Sequence, residues 1–510
     1  MLRSSSGLGL LRETLDHGFR ASLLVPLVSG IALAAILLLD TRAAVAALGG
    51  AVLLILSISA SKAWTARAAA VVPFLILLAN TKFRYRDVTE TLQGQVDGQI
   101  LFELAVYGVL GLIVIRMLNE APIRRYRLSL IEGVLLAHVV LAVCSVAWSP
   151  APTLTLIRGS QRLILFALAL LIVKRHGTRN ALNYIVSSLL GYVLIFGTVA
   201  AVIPPASGTL IDYYGIARFS WFAVHPTLAA SLIALCVLFL LVEGTYGERG
   251  WRTHRFGIPI WLFVLPLITM LLATRTRTYI IALMVAAGLL VFLKVGRAWS
   301  LFLGLGTALA GVLWFLNSGT SVTMLADSGA VSDNPIMEYV FRGQSSNAFV
   351  SLTGRTDLWP HVFDLAIQKP LLGYGYAASR TVLLGALSWG VYAHNALGQA
   401  VLDLGVIGAL LLFISLGSCF RVGPIAVWRG TLGVSALPRA TIWFSAVYLT
   451  VVSIAGESIA GLPSFLVFCF LVFCVAAGNL RTKLSSLTSG DTQHNERWPQ
   501  DYERVTHKLT

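Results

Sequence analysis

The sequence predicts an all-α polytopic membrane protein with about 12–14 transmembrane helices and one long extracytoplasmic loop that contains short helices. Of its 510 residues, 57% are hydrophobic and only 12% are charged, and the mean hydropathy is +0.81. A soluble chain carries about 25% charged residues, so most of this chain must be buried in protein or lipid. The composition excludes a soluble enzyme, a disordered scaffold and a disulfide-stapled secreted domain.

Long apolar segments account for this composition. Segments that approach the length needed to cross roughly 30 Å of hydrocarbon are residues 21–39, 43–60, 68–81, 100–118, 128–148, 155–173, 181–203, 222–242, 258–273, 279–296, 300–316, 394–417, 441–456 and 463–478. Several are short, notably 68–81 and the pair that flanks residues 273–277. One or two of them could therefore be re-entrant or half-helices.

These segments divide the chain into five regions. Residues 1–20 form a cytoplasmic amphipathic lead-in, 21–316 hold transmembrane helices 1–11, 317–393 form the extracytoplasmic loop, 394–478 hold helices 12–14, and 479–510 form a cytoplasmic tail. Because no small-residue cleavage site follows a short apolar core, we expect the lead-in to stay uncleaved.

The positive charges predict the orientation. The net charge of +15 includes 38 Lys and Arg in groups of one to four between apolar segments, a distribution that indicates topology rather than a nucleic-acid partner. With a cytoplasmic N-terminus, the inner loops and termini hold 25 of these cations and the outer loops hold 13. Because cytoplasmic loops retain Lys and Arg, both termini are expected in the cytoplasm.

The loop 317–393 is far longer than the other outer segments, and connections longer than about 15 residues are usually functional or disordered. It is neither low-complexity nor strongly charged, which favours a folded cap. Residues 356–370 have helical apolar spacing, and Gly373 and Gly375 then break the chain. We expect one or two short helices that lie at the membrane surface.

Several cations fall on the outer face in this topology. They are Arg158, Arg162, Arg218, Arg275, Arg277, Arg355 and His394. The positive-inside rule should remove arginine from that face, and the guanidinium fork suits phosphate oxygens, so the group predicts an anionic partner. Taken singly, each arginine could instead reach lipid headgroups or pair with a loop acid, and that alternative is about as common.

His394 opens the segment that follows the loop. On a helix, its face would be shared by Gly398, Val401, Gly405 and Gly408. This predicts the close approach of another helix and an inward-facing imidazole. Asp403 would lie about half a turn out of phase, so we do not expect it to orient the imidazole. A lone histidine at a helix end is about twice as often an N-terminal polar residue as a catalyst.

The cysteines are interpreted as packing residues. All five lie within or at the edge of apolar segments, and no Cys or His spacing is typical of a metal site. Neither a metal nor a cofactor is therefore expected.

The region around His394 resembles a known family. His394-Asn395, nine residues, Gly405, two residues and Gly408 resembles a motif of the O-antigen ligase and O-antigen polymerase superfamily. The preceding Thr353-Gly354-Arg355 and the stretch from Pro370 to Gly375 are similar to its loop motif, most of all in exopolysaccharide polymerases of the succinoglycan type.

Weaker similarities precede these motifs, and the resemblance covers residues 130–410. They are Trp148-Ser149-Pro150 with Arg158, Arg218 before His225-Pro226-Thr227, and Thr274-Arg275-Thr276-Arg277. The chain departs from the family where Thr227 replaces an asparagine and Thr276 replaces a serine. His225 before Pro226 is itself typical of a helix start, so its structural interpretation is favoured.

The resemblance implies a glycan transfer from a polyprenyl-pyrophosphate donor to a hydroxyl at the outer face, without a metal or nucleotide. It implies His394 as the general base and Arg218 and Arg277 as the pyrophosphate clamp. Arg355 is expected at the substrate side of the loop, and a salt bridge to Asp357 or Asp364 is an equally common alternative. Further candidates for the site are Arg158, Arg275 and Asn395.

Two of these arginines are weaker predictions than the clamp. Arg275 would point away from Arg277 if both lay on one helix, and Arg158 could face lipid headgroups. Arg162 is interpreted as interfacial. Trp359, Tyr374, Tyr376 and Trp389 could stack on sugars but are also expected as interfacial anchors.

The resemblance implies a bacterial inner-membrane protein with its site facing the periplasm, and partners that include membrane lipids and other polysaccharide assembly proteins. The acceptor decides between two activities: a lipid-linked repeat unit for a polymerase, which the loop motif favours, or lipid A-core for an O-antigen ligase. A flippase for lipid-linked glycans is the alternative from another class. Transporters generally keep ionisable residues near the bilayer midplane, and here the apolar segments are poor in them.

Overall fold

The computed structural model describes residues 64–82, 98–120, 128–202, 210–211, 217–295, 355–386, 392–423 and 436–488. The predicted segments 21–39, 43–60 and 300–316 lie outside these residues, as do the lead-in, most of the tail and the first half of the long loop. Each of the other predicted segments coincides with a helix.

The described residues form twelve α-helices. They are α1 Trp64–Asn80, α2 Gly98–Glu120, α3 Leu130–Cys144, α4 Pro152–Val202, α5 Pro226–Tyr246, α6 Trp261–Ala273, α7 Arg277–Val295, α8 Arg355–Gln368, α9 Ser379–Ala386, α10 Ala396–Phe420, α11 Ala436–Ile454 and α12 Phe465–Thr488. Short 3-10 turns cover Ser145–Ala147 and Gly250–Arg252.

Four strands of two residues each form two antiparallel hairpins. One pairs β1 Leu210–Ile211 with β2 Ala217–Arg218, and the other pairs β3 His254–Arg255 with β4 Ile258–Pro259. Both hairpins connect helices, and β2 carries one of the predicted site arginines.

The protein is an all-α polytopic membrane protein, as predicted. Seven helices among the described residues are long and apolar enough to cross a membrane. The helix α4 joins two predicted segments, 155–173 and 181–203, and Gly177 breaks it with φ 77° and ψ 161°. Only glycine adopts such a backbone readily, so α4 is two helices in sequence. The short helices expected in the long loop are α8 and α9.

The core surrounds α5 and α12. Nearly every residue of α5 is buried, which is typical of a helix enclosed by other helices. It packs against α6, α7 and α11, while α4 packs against α1, α3 and α12. Buried phenylalanines of α12, among them Phe465, Phe468 and Phe473, fill the space between these groups.

Polar side chains gather at the two ends of this bundle. At one end, salt bridges join Lys174 to Glu132 at 2.8 Å and Arg255 to Glu243 at 2.8 Å. At the other end lie the start of α2, the first turns of α4 and the residues that precede α10. We call this second end the site end, because it contains every described arginine predicted for the site.

The orientation can be tested by labelling in a variant whose five native cysteines are replaced by alanine. Asp364 in α8 is exposed at the site end, and Glu248 is 67% exposed at the opposite end. An impermeant maleimide should modify the Asp364→Cys variant in intact spheroplasts and the Glu248→Cys variant only after permeabilisation. The reverse pattern would place the site end in the cytoplasm.

Candidate functional site

Arg218 is buried against the turn that joins α6 to α7. Its Nε donates to the carbonyl oxygen of Thr274 at 3.2 Å, and its Nη2 donates to Oγ1 of Thr276 at 2.8 Å. The next residue, Phe219, donates its backbone N–H to Ala273 at 2.9 Å. These bonds fix the guanidinium plane of Arg218 beside the predicted Thr274–Arg277 motif.

Arg275 and Arg277 do not lie on one helix, which corrects the argument that set Arg275 aside. The helix α6 ends at Ala273 and α7 begins at Arg277. Between them, Arg275 adopts a left-handed backbone with φ 52°. Both arginines are partly exposed. The turn therefore brings three arginines, including Arg218, to one place at the site end.

His225 caps α5 through its imidazole. Its Nδ1 accepts the backbone N–H of Thr227 at 3.3 Å and lies 2.7 Å from the hydroxyl of the same residue. This confirms that His225 begins a helix, with Pro226 at the first position. In the neutral ring the proton is then on Nε2, because Nδ1 is an acceptor.

The charges around His225 place it beside two predicted site residues. Its pKa is lowered to about 4, first because the ring loses part of its hydration and then because of the charges of Arg218 and His394. A substantial part of the side chain nevertheless remains exposed. Arg218, His225 and His394 therefore form one cluster on three separate elements, and His225 is neutral at physiological pH.

His394 precedes α10 rather than capping it. Its backbone is left-handed with φ 54°. The cap is Asn395, whose Oδ1 accepts the N–H of Gly398 at 2.5 Å and whose Nδ2 donates to Ala393 at 3.3 Å. Asn395 thus has a structural role, and the interpretation of His394 as the N-terminal polar residue of the helix is wrong.

The first glycine of the motif breaks α10. Gly405 has φ 65° and ψ −171°, and a Cβ there would lie 2.1 Å from the carbonyl oxygen of Leu371. The close approach that was predicted is real, but the partner is the backbone of the long loop and not another helix. Tyr374 donates to Leu402 and Val406 donates to Pro370, each at 2.8 Å.

Arg158 pairs with an acid instead of facing lipid headgroups. It forms a salt bridge with Glu103 of α2, and its Nη1 also donates to Gln161 at 2.9 Å. Arg158 also acts on Tyr392. Burial raises the pKa of Tyr392, and the charge of Arg158 is among those that lower it. Arg158 therefore lies near the segment that leads into His394.

Arg162 is not interfacial, because its side chain is only 1% exposed. Its Nη1 donates to the hydroxyl of Tyr376 at 3.0 Å, and its Nη2 donates to the carbonyl oxygen of Ile459 at 3.2 Å. The hydroxyl of Tyr376 donates in turn to Gly461 at 2.9 Å. Arg162 thus ties α4 to the long loop and to the connection between α11 and α12.

The remaining predicted residues are less informative. Arg355 is the first residue of α8, and its side chain lies outside the described residues, as does Trp389. Tyr374 and Tyr376 are buried and hydrogen-bonded within the protein, which is not the surface expected for sugar stacking. Among the described residues, no group of three or more His, Cys, Asp or Glu side chains could hold a metal ion.

Comparisons with known proteins identify the same region. A family model described as O-antigen ligase matches residues 262–413, which run from α6 into α10 and include the Thr274–Arg277 turn and His394. The resemblance to the O-antigen ligase and O-antigen polymerase superfamily is confirmed.

One curated relative extends the similarity. The chain is 25% identical over 299 residues to the exopolysaccharide production protein ExoQ of Rhizobium meliloti (strain 1021). The match covers 56% of this chain and 63% of ExoQ, so the chain spans less than two thirds of that relative. The region that the O-antigen ligase model matches contains His394, which lies in the cluster at the site end.

Sequence reasoning did not find the side chains that support this motif. Arg218 binds Thr274 and Thr276 across 56 and 58 positions of the chain, a contact that no local pattern predicts. Gln399 and Asp403 form a buried hydrogen-bond network. Asp403 was set aside on helical phase, and Gln399 was not among the predicted residues. One signal was available. Gln399 and Asp403 are polar residues in an apolar helix, and such residues need hydrogen-bond partners.

The role of Arg162 can be tested by stability. Lysine retains the charge but cannot bridge the hydroxyl of Tyr376 and the carbonyl of Ile459, so Arg162→Lys should cost about 3 kcal/mol. Thermal unfolding of the purified protein in detergent measures this loss. Arg252 is exposed, and Arg252→Lys is the control. Equal midpoints for both variants would mean that Arg162 does not hold these elements together.

Proposed function

We propose that this protein is a membrane glycosyltransferase that moves a glycan from a polyprenyl-pyrophosphate donor to an acceptor hydroxyl. The reaction takes place at the periplasmic face of a bacterial inner membrane. The observation that carries the proposal is the cluster of Arg218, His225 and His394, with Arg275 and Arg277 on the adjoining turn. The match to the O-antigen ligase family over this region supports it.

The arginines serve the leaving group. When the bond between the anomeric carbon and the pyrophosphate oxygen breaks, the electron pair leaves with the pyrophosphate and its negative charge grows. Cations already fixed in place stabilise that charge without a cost of reorganisation at the moment of reaction. The guanidinium of Arg218 is held by the turn, so it meets the donor in a defined plane, and Arg277 completes the clamp.

His394 serves the acceptor. A hydroxyl that attacks the anomeric carbon must lose its proton, and a neutral imidazole is well matched to that step near pH 7. The new glycosidic bond forms as the bond to pyrophosphate breaks, and the proton passes to His394. One direct displacement inverts the anomeric centre. We propose that no metal takes part, since the arginines supply the charge that a divalent cation would otherwise provide.

The acceptor is proposed to be a second lipid-linked repeat unit, so that the reaction polymerises exopolysaccharide or O-antigen units. The name of the ExoQ relative, an exopolysaccharide production protein, favours this acceptor. Transfer to lipid A-core would instead make the protein an O-antigen ligase. Arg355 at the start of α8 is assigned to the substrate, and other polysaccharide assembly proteins are proposed as partners.

The base assignment predicts the effect of His394→Ala. A general base contributes about 10²–10⁴-fold, so the variant should lose nearly all transfer from a purified polyprenyl-pyrophosphate glycan in proteoliposomes. His361 is exposed in α8 and gives the matched control, His361→Ala, which should keep its activity. Products of stepwise increasing size identify a polymerase. A folded His394→Ala protein with near wild-type transfer would disprove the base assignment.

The clamp predicts the effect of lysine at two positions. Arg218→Lys and Arg277→Lys retain the charge but lose the bidentate fork, so each should lower the transfer rate by roughly 10–100-fold. Arg179 is half exposed at the opposite end, and Arg179→Lys should have no effect. Equal activity in all three variants would mean that these arginines do not bind the pyrophosphate.

A further inference from the structure

A network of buried hydrogen bonds connects α9, α10 and the residue before His394. The side chains of Gln399 and Asp403, each 2% exposed, join the first turns of α10 to the start of α9. Nε2 of Gln399 donates to Oδ2 of Asp403 at 2.9 Å and to Oγ of Ser379 at 2.7 Å. Oδ1 of Asp403 accepts the backbone N–H of Ser379 at 3.3 Å.

The network ends on the residue that precedes His394. Oε1 of Gln399 accepts the backbone N–H of Ala393 at 3.1 Å. Since Nε2 of Gln399 is held by Asp403 and Ser379, its amide cannot rotate, and Oε1 must face Ala393. His394 follows in a left-handed conformation that non-glycine residues adopt only when neighbouring contacts impose it.

Backbone hydrogen bonds hold the loop in place in addition to the acid of this network. The backbone bonds from Tyr374 and Gly375 to Leu402 and Asp403, each 2.8 Å long, already dock the long loop on α10. A buried carboxylate is costly, and apolar side chains of similar size would fill the space at lower cost. Besides accepting the N–H of Ser379, the carboxylate gives the amide of Gln399 a fixed direction.

We propose that Gln399 and Asp403 are positioning residues for His394: Asp403 orients the amide of Gln399, which fixes Ala393 and with it the direction of the imidazole. The inference rests on the proposed function only for its effect on rate. Its geometric part, that the two side chains control the environment of His394, stands on the hydrogen bonds alone.

A reciprocal exchange tests the proposal. Gln399→Glu sets two carboxylates against each other, and Asp403→Asn sets two amide groups against one another. In the double variant, the glutamate accepts from Ala393, from the asparagine and from the hydroxyl of Ser379, and the asparagine oxygen accepts the N–H of Ser379. The four hydrogen bonds named above can therefore re-form with one acid retained. Each single variant should lower kcat by roughly 10–100-fold, and the double variant should recover most of that loss.

Two readouts separate positioning from folding. Measured at a temperature at which every variant is folded, the KM for the donor should change little in the single variants, while kcat falls. Reactivity of His394 towards diethyl pyrocarbonate, followed by mass spectrometry, should change in both single variants and return in the double variant, whereas the reactivity of His361 stays constant. Glu248→Gln, at the opposite end of the bundle, controls for an acid-to-amide change.

The outcomes also separate this proposal from the proposed function. If the wild type transfers glycan and His394→Ala does not, the function stands whatever Gln399 and Asp403 do. If the wild type transfers none, the reactivity of His394 still decides the positioning role. Single variants with unchanged kcat and His394 reactivity, or a folded double variant that recovers neither, would overturn the proposal.

Discussion

The site end depends on the break of α10 at Gly405. A broken helix exposes backbone N–H and C=O groups, and the hydrocarbon region of a membrane offers nothing to pair with them. Residues 370–375 of the long loop supply those partners, with Val406 and Leu402 among the groups they satisfy. The loop can approach this closely because Gly405 has no side chain. One helix break therefore anchors the loop, α9 and the entry to α10.

The cations at the two ends of the bundle have different partners. At the end opposite the site, Lys174 and Arg255 are each paired with a carboxylate at 2.8 Å. At the site end, Arg162 and Arg218 are buried and donate to carbonyl and hydroxyl oxygens, which orient each guanidinium. Arg158 and Lys82 both pair there with Glu103. Arg162 and Arg218 are thus held in fixed directions where an anionic donor is proposed to bind.

The sequence was sufficient for the fold class and for naming the arginines and the histidine that lie together at the site end. Hydropathy marks membrane helices because lipid imposes the same apolar requirement along each span. The long-range contacts were beyond it: Arg162 was assigned to the interface because its partners, Tyr376 and Ile459, are more than 200 positions away. Asp403 was set aside on helical phase, which assumed that His394 belongs to the helix. The helix begins at Ala396, so that phase has no meaning for the histidine.

The two histidines of the cluster are suited to different tasks. Nδ1 of His225 already accepts the N–H of Thr227, so Nε2 carries the proton of the neutral ring and can donate it in a hydrogen bond to an anion. A second proton on this ring would break the cap of α5 and add charge beside Arg218, which agrees with its pKa of about 4. His225 is therefore a poor base for an acceptor hydroxyl. His394 lies outside the helix that follows it and is not its cap, so its imidazole can take a proton without the loss of a helix terminus. We infer that the base assignment belongs to His394, and that the neutral ring of His225 donates a hydrogen bond from Nε2 to the departing pyrophosphate.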